Sequence, residues 1–220
     1  MANSNRKLAI LWDLDGVLVD SGEYHYAAWK QTFDELGVRF SEEQFRMTFG
    51  MNNTGILGMI YGKKLLLERE QQISERKESL FREAVKGNAL LLPGVENALK
   101  NFTAWNMKQA IASSAPPKNI EVLVQELQIG NYFDAIVSGY DIPGKPDPAV
   151  FLKAAQQLGI GPEHCIVIED AVAGVEAAKS AGMKCIAVTT TNTVESLSKA
   201  DLILDSLAEL RKDSFFELLD

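Results

Sequence analysis

Asp13-Leu14-Asp15-Gly16 places two carboxylates two residues apart, directly after the apolar run of residues 8–12. On an extended backbone that spacing points both side chains the same way, and Gly16 lets the chain turn sharply behind them. Chance alone puts an Asp-x-Asp-Gly in about one chain in twenty of this length, so the weight of the motif lies in its position at the end of the run. A calcium loop does not fit, because the fifth and twelfth positions counted from Asp13 are Val17 and Tyr24. Three more polar signals follow other apolar runs. Ser113, with Ser114 behind it, follows residues 109–112. Lys145, in Gly144-Lys145-Pro146-Asp147-Pro148, comes after residues 135–137. Glu169-Asp170 ends the run 165–168.

Taken singly, each signal has a plain structural role. Ser113 and the Glu169-Asp170 pair can cap the helices that follow them, and Lys145 can be a solvated loop lysine. Their joint appearance at the ends of four apolar runs is harder to assign to chance, and the chemistry they can do together is phosphoryl transfer. A carboxylate can attack phosphorus to form an acyl phosphate, and a second acid can protonate the leaving oxygen. Several carboxylates gathered in one place call for a cation, and an all-oxygen ligand set selects Mg²⁺. Lys145 would add a point charge, and Ser113 a hydroxyl donor, to the non-bridging oxygens.

Such residues need a scaffold that brings distant strand ends together. The apolar runs at 8–12, 109–112, 135–137, 165–168 and 185–188, with residues 202–204 as a sixth, edge strand, read as strands buried on both faces of a parallel sheet. Helical patterns fill the intervals, including 148–158, which opens on Pro148 and ends before Gly159, and 171–181, which ends at Gly182. This alternation predicts an α/β fold with a doubly wound, Rossmann-like parallel sheet, whose ligands bind at the carboxyl ends of the strands.

About a hundred residues separate the first two strands, where a crossover needs roughly a dozen. Within that interval Asp20 and Ser21 can cap a helix carrying Trp29, Phe33 and Leu36. Ser41-Glu42-Glu43-Gln44 matches a capping box before Phe45 and Phe49. Ile56, Leu57 and Ile60, then Ile73, Leu80 and Ala84, mark two further amphipathic stretches. Residues 21–88 are therefore expected to form a small all-helical cap inserted after the first strand, with residues 1–20 and 89–220 as the α/β core.

Composition narrows the classes. The 220 residues are 46% hydrophobic and 24% charged, with a formal net charge of −8. No basic excess is present to bind nucleic acid or an anionic membrane non-specifically. No stretch approaches the roughly 20 apolar residues of a membrane span, and the first apolar run meets Asp13 too soon for a signal-peptide core. Cys165 and Cys185 each lie in an apolar run and read as buried thiols rather than a disulfide or metal pair. The expectation is a cytoplasmic protein.

With these residues in place the chain resembles the haloacid dehalogenase superfamily, in the branch of phosphatases and phosphomutases similar to β-phosphoglucomutase. The match covers nearly the whole chain through Asp13-Leu14-Asp15-Gly16, Ser113, Lys145-Pro146 and Glu169-Asp170. The resemblance implies that Asp13 is the nucleophile and Asp15 the general acid and base, with Ser113, Ser114 and Lys145 on the phosphate. It implies a Mg²⁺ held by the carboxylate of Asp13, the backbone carbonyl of Asp15, and Glu169 and Asp170. In that family an acid at the Asp15 position goes with phosphate-ester chemistry. Glu23-Tyr24-His25 resembles the segment that puts a histidine near the second Asp, and Lys77 resembles a cap lysine facing substrate; a hinge-helix histidine and a solvated helix lysine are the structural alternatives. Where the mutases carry an Arg in a Gly-x-x-Arg stretch, this chain reads Gly50-Met51-Asn52-Asn53, so Asn53 offers a neutral amide. The leading expectation is a hydrolase of small phosphorylated metabolites, such as sugar phosphates. A sugar phosphomutase is the alternative, and a non-catalytic regulatory module on this fold is a third reading, disfavoured by the intact set of acids.

Asp13→Asn is expected to abolish turnover while leaving the fold intact, because an amide can neither attack phosphorus nor serve as an anionic ligand. Near-normal phosphate release by a folded Asp13→Asn protein would contradict the nucleophile assignment.

Overall fold

In the computed structural model, which describes residues 7–48 and 51–219, the apolar runs form one six-stranded, all-parallel sheet in the order β3-β2-β1-β4-β5-β6. The strands are β1 Ala9–Trp12, β2 Lys108–Ser113, β3 Ala135–Ser138, β4 Cys165–Glu169, β5 Lys184–Val188 and β6 Leu202–Leu204. β6 lies at the edge, as its short run predicts. Parallel strands covered on both sides need apolar residues on both faces, and the packing follows that rule. Ile10 and Trp12 enter one core, Ala9 and Leu11 the other. The polar exception inside a strand is Gln109, which is buried but accepts from the Trp12 indole at 3.0 Å and donates to Leu99 O and Thr103 Oγ1.

Helices cover both faces. α5 Val95–Ala104, α6 Pro117–Glu126 and α9 Lys212–Glu217 pack on the face of Ile10 and Trp12. α7 Ala149–Leu158 and α8 Val172–Ser180 pack on the other. α7 stops at Gly159 in the left-handed conformation, and Gly182 takes the same conformation beyond α8, as their sequence positions suggest.

Between β1 and α5 lie, among the described residues, four more helices, α1 Gly22–Glu35, α2 Glu42–Thr48, α3 Asn53–Tyr61 and α4 Leu67–Val85. Their own hydrophobic cluster contains Trp29, Phe33, Phe40, Ile56, Leu57 and Ile73. The base of this helical layer is not separate from the sheet, since Ala28, Leu80, Phe81 and Val85 belong to the core beside β1. The expected capping box forms reciprocally: Gln44 N–H donates to Ser41 Oγ at 3.2 Å and Ser41 N–H to Gln44 Oε1 at 2.9 Å. Phe49 and Gly50 lie outside the described residues. Ser21 departs from expectation. It is the residue before α1, yet its hydroxyl makes no cap bond and turns instead to Asp15. A carboxylate acceptor gives a hydroxyl a stronger bond than a helix-end amide can.

Phe33 is fully buried, with ring centroids 5.1 Å from Trp29 and 4.9 Å from Phe40. Phe33→Ala is expected to cost about 3–5 kcal/mol, read as a lowered urea midpoint. A loss below about 1 kcal/mol would mean that this cluster contributes little to the fold.

Candidate active site

The strand order reverses between β1 and β4, and open parallel sheets bind ligands in the crevice that such a reversal leaves at the carboxyl ends of the strands. Asp13 leaves β1 there, its N–H bonded to Ile168 O of β4 at 3.0 Å. Glu169 and Asp170 therefore arrive beside it. Carboxylate oxygens of Asp13, Glu169 and Asp170 all lie within 4.8 Å of one another, a group that could hold a metal ion. Lys145 reaches in from the segment after β3 and donates to Asp13 Oδ1 at 2.5 Å and to Glu169 Oε1 at 2.6 Å.

Two glycines make this crowding possible. Gly16 has a φ of +85°, and a Cβ there would lie 2.0 Å from Asp170 Oδ2. A Cβ at Gly174, in the first turn of α8, would lie 1.8 Å from Glu169 Oε1. The helix-capping reading of Glu169 does not hold, since α8 has no side-chain cap: Glu169 Oε2 accepts from Asp170 N and Ala171 N, both at 2.8 Å and both ahead of the helix, while Oε1 takes Lys145.

Burial and crowding set the charges. Asp13 is 7% exposed, Glu169 1% and Asp170 3%. Burial raises the Asp13 carboxyl to about 7 against the pull of Lys145, with Glu169 and Asp15 adding to the rise. Asp170 is raised well above its ordinary value, by burial first and then by Glu169 and Asp13. Lys145, by contrast, is raised because its anionic partners outweigh its burial. One ammonium does not neutralise three buried carboxylates. An all-oxygen cluster short of positive charge fits a hard divalent cation.

Asp15 lies outside this group of three, in a turn tied by Gly16 N to Val19 O at 2.8 Å. Its Oδ1 accepts from Ser21 Oγ and sits 3.5 Å from His25 Nε2. Burial would raise Asp15, but His25, Ser21 and Lys77 outweigh it and hold the carboxyl below its ordinary value. His25 stacks on Phe81 at 4.1 Å, and its Nδ1 is 2.9 Å from Lys77 Nζ. The histidine is thus both partly buried at the hinge and turned to Asp15. Lys77, 3% exposed, is not a solvated helix lysine.

Ser113 ends β2, fully buried, with its Oγ accepting from Ala115 N at 3.1 Å. That bond uses a lone pair and leaves the hydroxyl proton to donate. Ser114 beside it is exposed. Asn53 opens α3, and its amide donates to Glu78 Oε1 at 2.9 Å.

Several contributors were missed in the sequence. Thr191 donates to Asp170 Oδ2 at 2.5 Å, and Asn192 to Asp170 O at 3.0 Å. Both follow β5, so the strand-end rule that found the other residues could have found these. Glu78 and Asn119, both buried, carry no such signal, being polar residues within helices.

The raised acids make stability depend on pH. Between about 4 and about 7 the folded chain holds a proton on Asp13 that the unfolded chain has released, so stability falls as pH rises through that window. Asp170 shifts in the same sense, whereas the lowered Asp15 contributes stability that is lost only at pH below its unfolded value, outside the window. A bound divalent cation offsets the exposed repulsion. The rise in Tm on adding Mg²⁺ to chelated protein is therefore expected to grow from pH 4 to pH 7 and to flatten in Asp13→Asn; an equal rise at every pH would contradict this charge balance.

The model of the haloacid dehalogenase-like hydrolase family matches residues 8–182. A phosphorylated carbohydrates phosphatase of Thermotoga maritima is 31% identical over 90% of this chain and 90% of its own. A β-phosphoglucomutase of Bacillus subtilis is 32% identical over 95% and 94%. Among solved structures, a β-phosphoglucomutase from Clostridium difficile aligns with a TM-score of 0.86 and 30% identity over 97% of each chain. The resemblance that the strand-end residues suggested holds over the length of the chain: it belongs to the haloacid dehalogenase-like hydrolase family and is an enzyme of the phosphatase type within it.

Proposed function

We propose that this enzyme hydrolyses phosphate monoesters of small, carbohydrate-like metabolites through an aspartyl phosphate on Asp13, with Mg²⁺ as cofactor. One observation carries the reading: Asp13, Lys145, Glu169 and Asp170 converge in a buried cluster, while Asp15, two residues along the chain, has its own partners, Ser21 and His25. The names of relatives support the substrate class, including hexitol phosphatase B of Escherichia coli at 29% identity.

In this mechanism a carboxylate oxygen of Asp13 attacks phosphorus as the ester P–O bond breaks. Asp15 gives a proton to the leaving alkoxide. Water then attacks the phosphoryl group, Asp15 takes its proton, the bond to Asp13 breaks, and phosphate leaves. His25 and Ser21 hold Asp15 as a carboxylate, which suits the base step; the dianion of an entering substrate would raise its pKa toward the acid form. Lys145 and the Ser113 hydroxyl would contact the non-bridging oxygens, with Ser114 beside them. Asp13, Glu169, Asp170 and the backbone carbonyl of Asp15 would hold Mg²⁺, which when bound neutralises repulsion between Asp13 and the phosphate. Residues 21–88 would serve as the cap that excludes water, with His25, Asn53 and Lys77 on its inner side. No helix among the described residues is long and apolar enough to cross a membrane. Two buried free thiols on adjacent strands support placing the enzyme in the cytoplasm.

The β-phosphoglucomutase relatives make a sugar phosphomutase the second reading. It shares the first half-reaction and differs in the acceptor. Asn53 favours water, because its neutral amide is spent on Glu78 and cannot grip a distal phosphate as an arginine would.

Two measurements test the proposal. Asp15→Ala is expected to lower kcat by about 10² to 10⁴ with little change in KM, and by far less for nitrophenyl phosphate, whose leaving group needs no proton. Equal losses for good and poor leaving groups would give Asp15 a structural role instead. With β-glucose 1-phosphate and a catalytic amount of glucose 1,6-bisphosphate, glucose 6-phosphate formed much faster than free phosphate would make the enzyme a mutase.

A further inference from the structure

Glu78 is the least expected charge near the site. It sits mid-helix on α4, is 4% exposed, and lies next to Lys77, which reaches His25. Its carboxylate is fully engaged. Oε1 accepts from Lys77 at 3.0 Å and from Asn53 at 2.9 Å, and Oε2 accepts from Asn119 at 2.6 Å. These partners come from three elements, α3 and α4 of the helical layer and α6 of the sheet domain. One buried anion therefore cancels the lysine nearest Asp15 and His25 and occupies two amide donors.

The α4 cations on either side of Glu78 are occupied in the same way, Arg82 pairing with Glu75 at 2.9 Å while donating to Asn119 and Arg76 pairing with Glu35 at 2.6 Å. Arg69, exposed near the start of the helix, donates among the described residues only to Gln72. The Tyr140 phenol on the loop after β3 is raised by burial and then by Glu78, Asp141, Glu75 and Glu70, three of which belong to α4. Lys63 and Lys64 are exposed and lie beyond Gly62, at the far end of α3 from Asn53.

We propose that Glu78 is a specificity-determining residue, whose carboxylate makes the enzyme select phosphate monoesters with an uncharged, hydroxylated leaving group and reject those carrying a second phosphate. This rests on the monoesterase reading above and gives it a substrate class. A second phosphate on the leaving group would find Lys77 and Arg82, the α4 cations that share Glu78's network, already paired, and would be desolvated beside a buried carboxylate, whereas hydroxyls tolerate the carboxylates and amides there. The substitution Glu78→Gln keeps the shape, removes the anion, and leaves Lys77 uncompensated beside the leaving group.

The test is binding, so that it does not depend on turnover. Calorimetry on Asp13→Asn with Mg²⁺ compares glucose 6-phosphate with glucose 1,6-bisphosphate. The monophosphate is expected to bind about tenfold more tightly or better, and Glu78→Gln in the same background is expected to erase or invert that preference by a similar factor. Equal binding of the two ligands before substitution overturns the proposal, as does a preference that Glu78→Gln leaves unchanged. Should the Gln variant fail to fold, Glu78→Asp, which keeps the charge, is expected to retain rejection of the bisphosphate, and its loss would equally overturn the assignment. Phosphate release from monophosphates by the unsubstituted enzyme, measured in parallel, reports separately on the monoesterase reading: absent release sinks that reading, while the binding comparison still decides the role of Glu78.

Discussion

Three buried carboxylates share one ammonium at the carboxyl end of the sheet, and much of the molecule serves to make that tolerable. A charge removed from water costs several kcal/mol unless it is paired, so Asp13, Glu169 and Asp170 cannot sit together without compensation. Lys145 supplies part of it to Asp13 and Glu169. The amides of Asp170 and Ala171, ahead of α8, supply more to Glu169, and Thr191 supports Asp170. What remains is a net negative hole, seen in the upward shifts of Asp13 and Asp170. A divalent cation and a phosphate can enter such a hole together. The phosphate alone would be repelled.

The parallel sheet is what makes the cluster possible. Because β1 and β4 are neighbours although far apart in sequence, residues that end them must meet, and the register pairs Trp12 with Ile168 one step before the acids. Rigidity follows from burial on both faces, where apolar residues of β1 alternate between two cores. Gly16 and Gly174 then act at the smallest scale, since any side chain at either would displace a carboxylate of the cluster.

Asp15 is governed by a different set of contacts. Its partners, Ser21 and His25, belong to the entry into the helical layer, and His25 is fixed by Phe81 and Lys77 of α4. Asp13 is thus positioned by the sheet and Asp15 by contacts from the helical layer. The link is short and partly shared with the main core through Ala28, Phe81 and Val85. The Tyr24 hydroxyl also ties the two connecting segments by donating to Asn88 O at 2.8 Å. Any movement of the helical layer is therefore coupled to the Asp15 side chain.

The strands, including the short β6, were legible in sequence because a strand covered on both faces must be apolar along its length. The acids and Lys145 were legible because they interrupt or follow those runs, and a parallel sheet gathers all such ends at one edge. The capping box at Ser41 was legible because both of its bonds are local. Contacts between helices were not. Whether Ser21 caps α1 or donates to Asp15, whether Lys77 is solvated or buried, and whether Glu78 faces water or binds Asn53, Lys77 and Asn119 depend on which helix faces press together. Polar residues at helical spacing look alike before packing. Sequence by itself determined the fold and the strand end at which Asp13, Glu169 and Asp170 gather, because periodicity and strand ends are properties of a local stretch of chain. Tertiary structure alone decided how Asp15 and the helices packed around it are charged, because burial and pairing arise only when distant segments exclude water from one another.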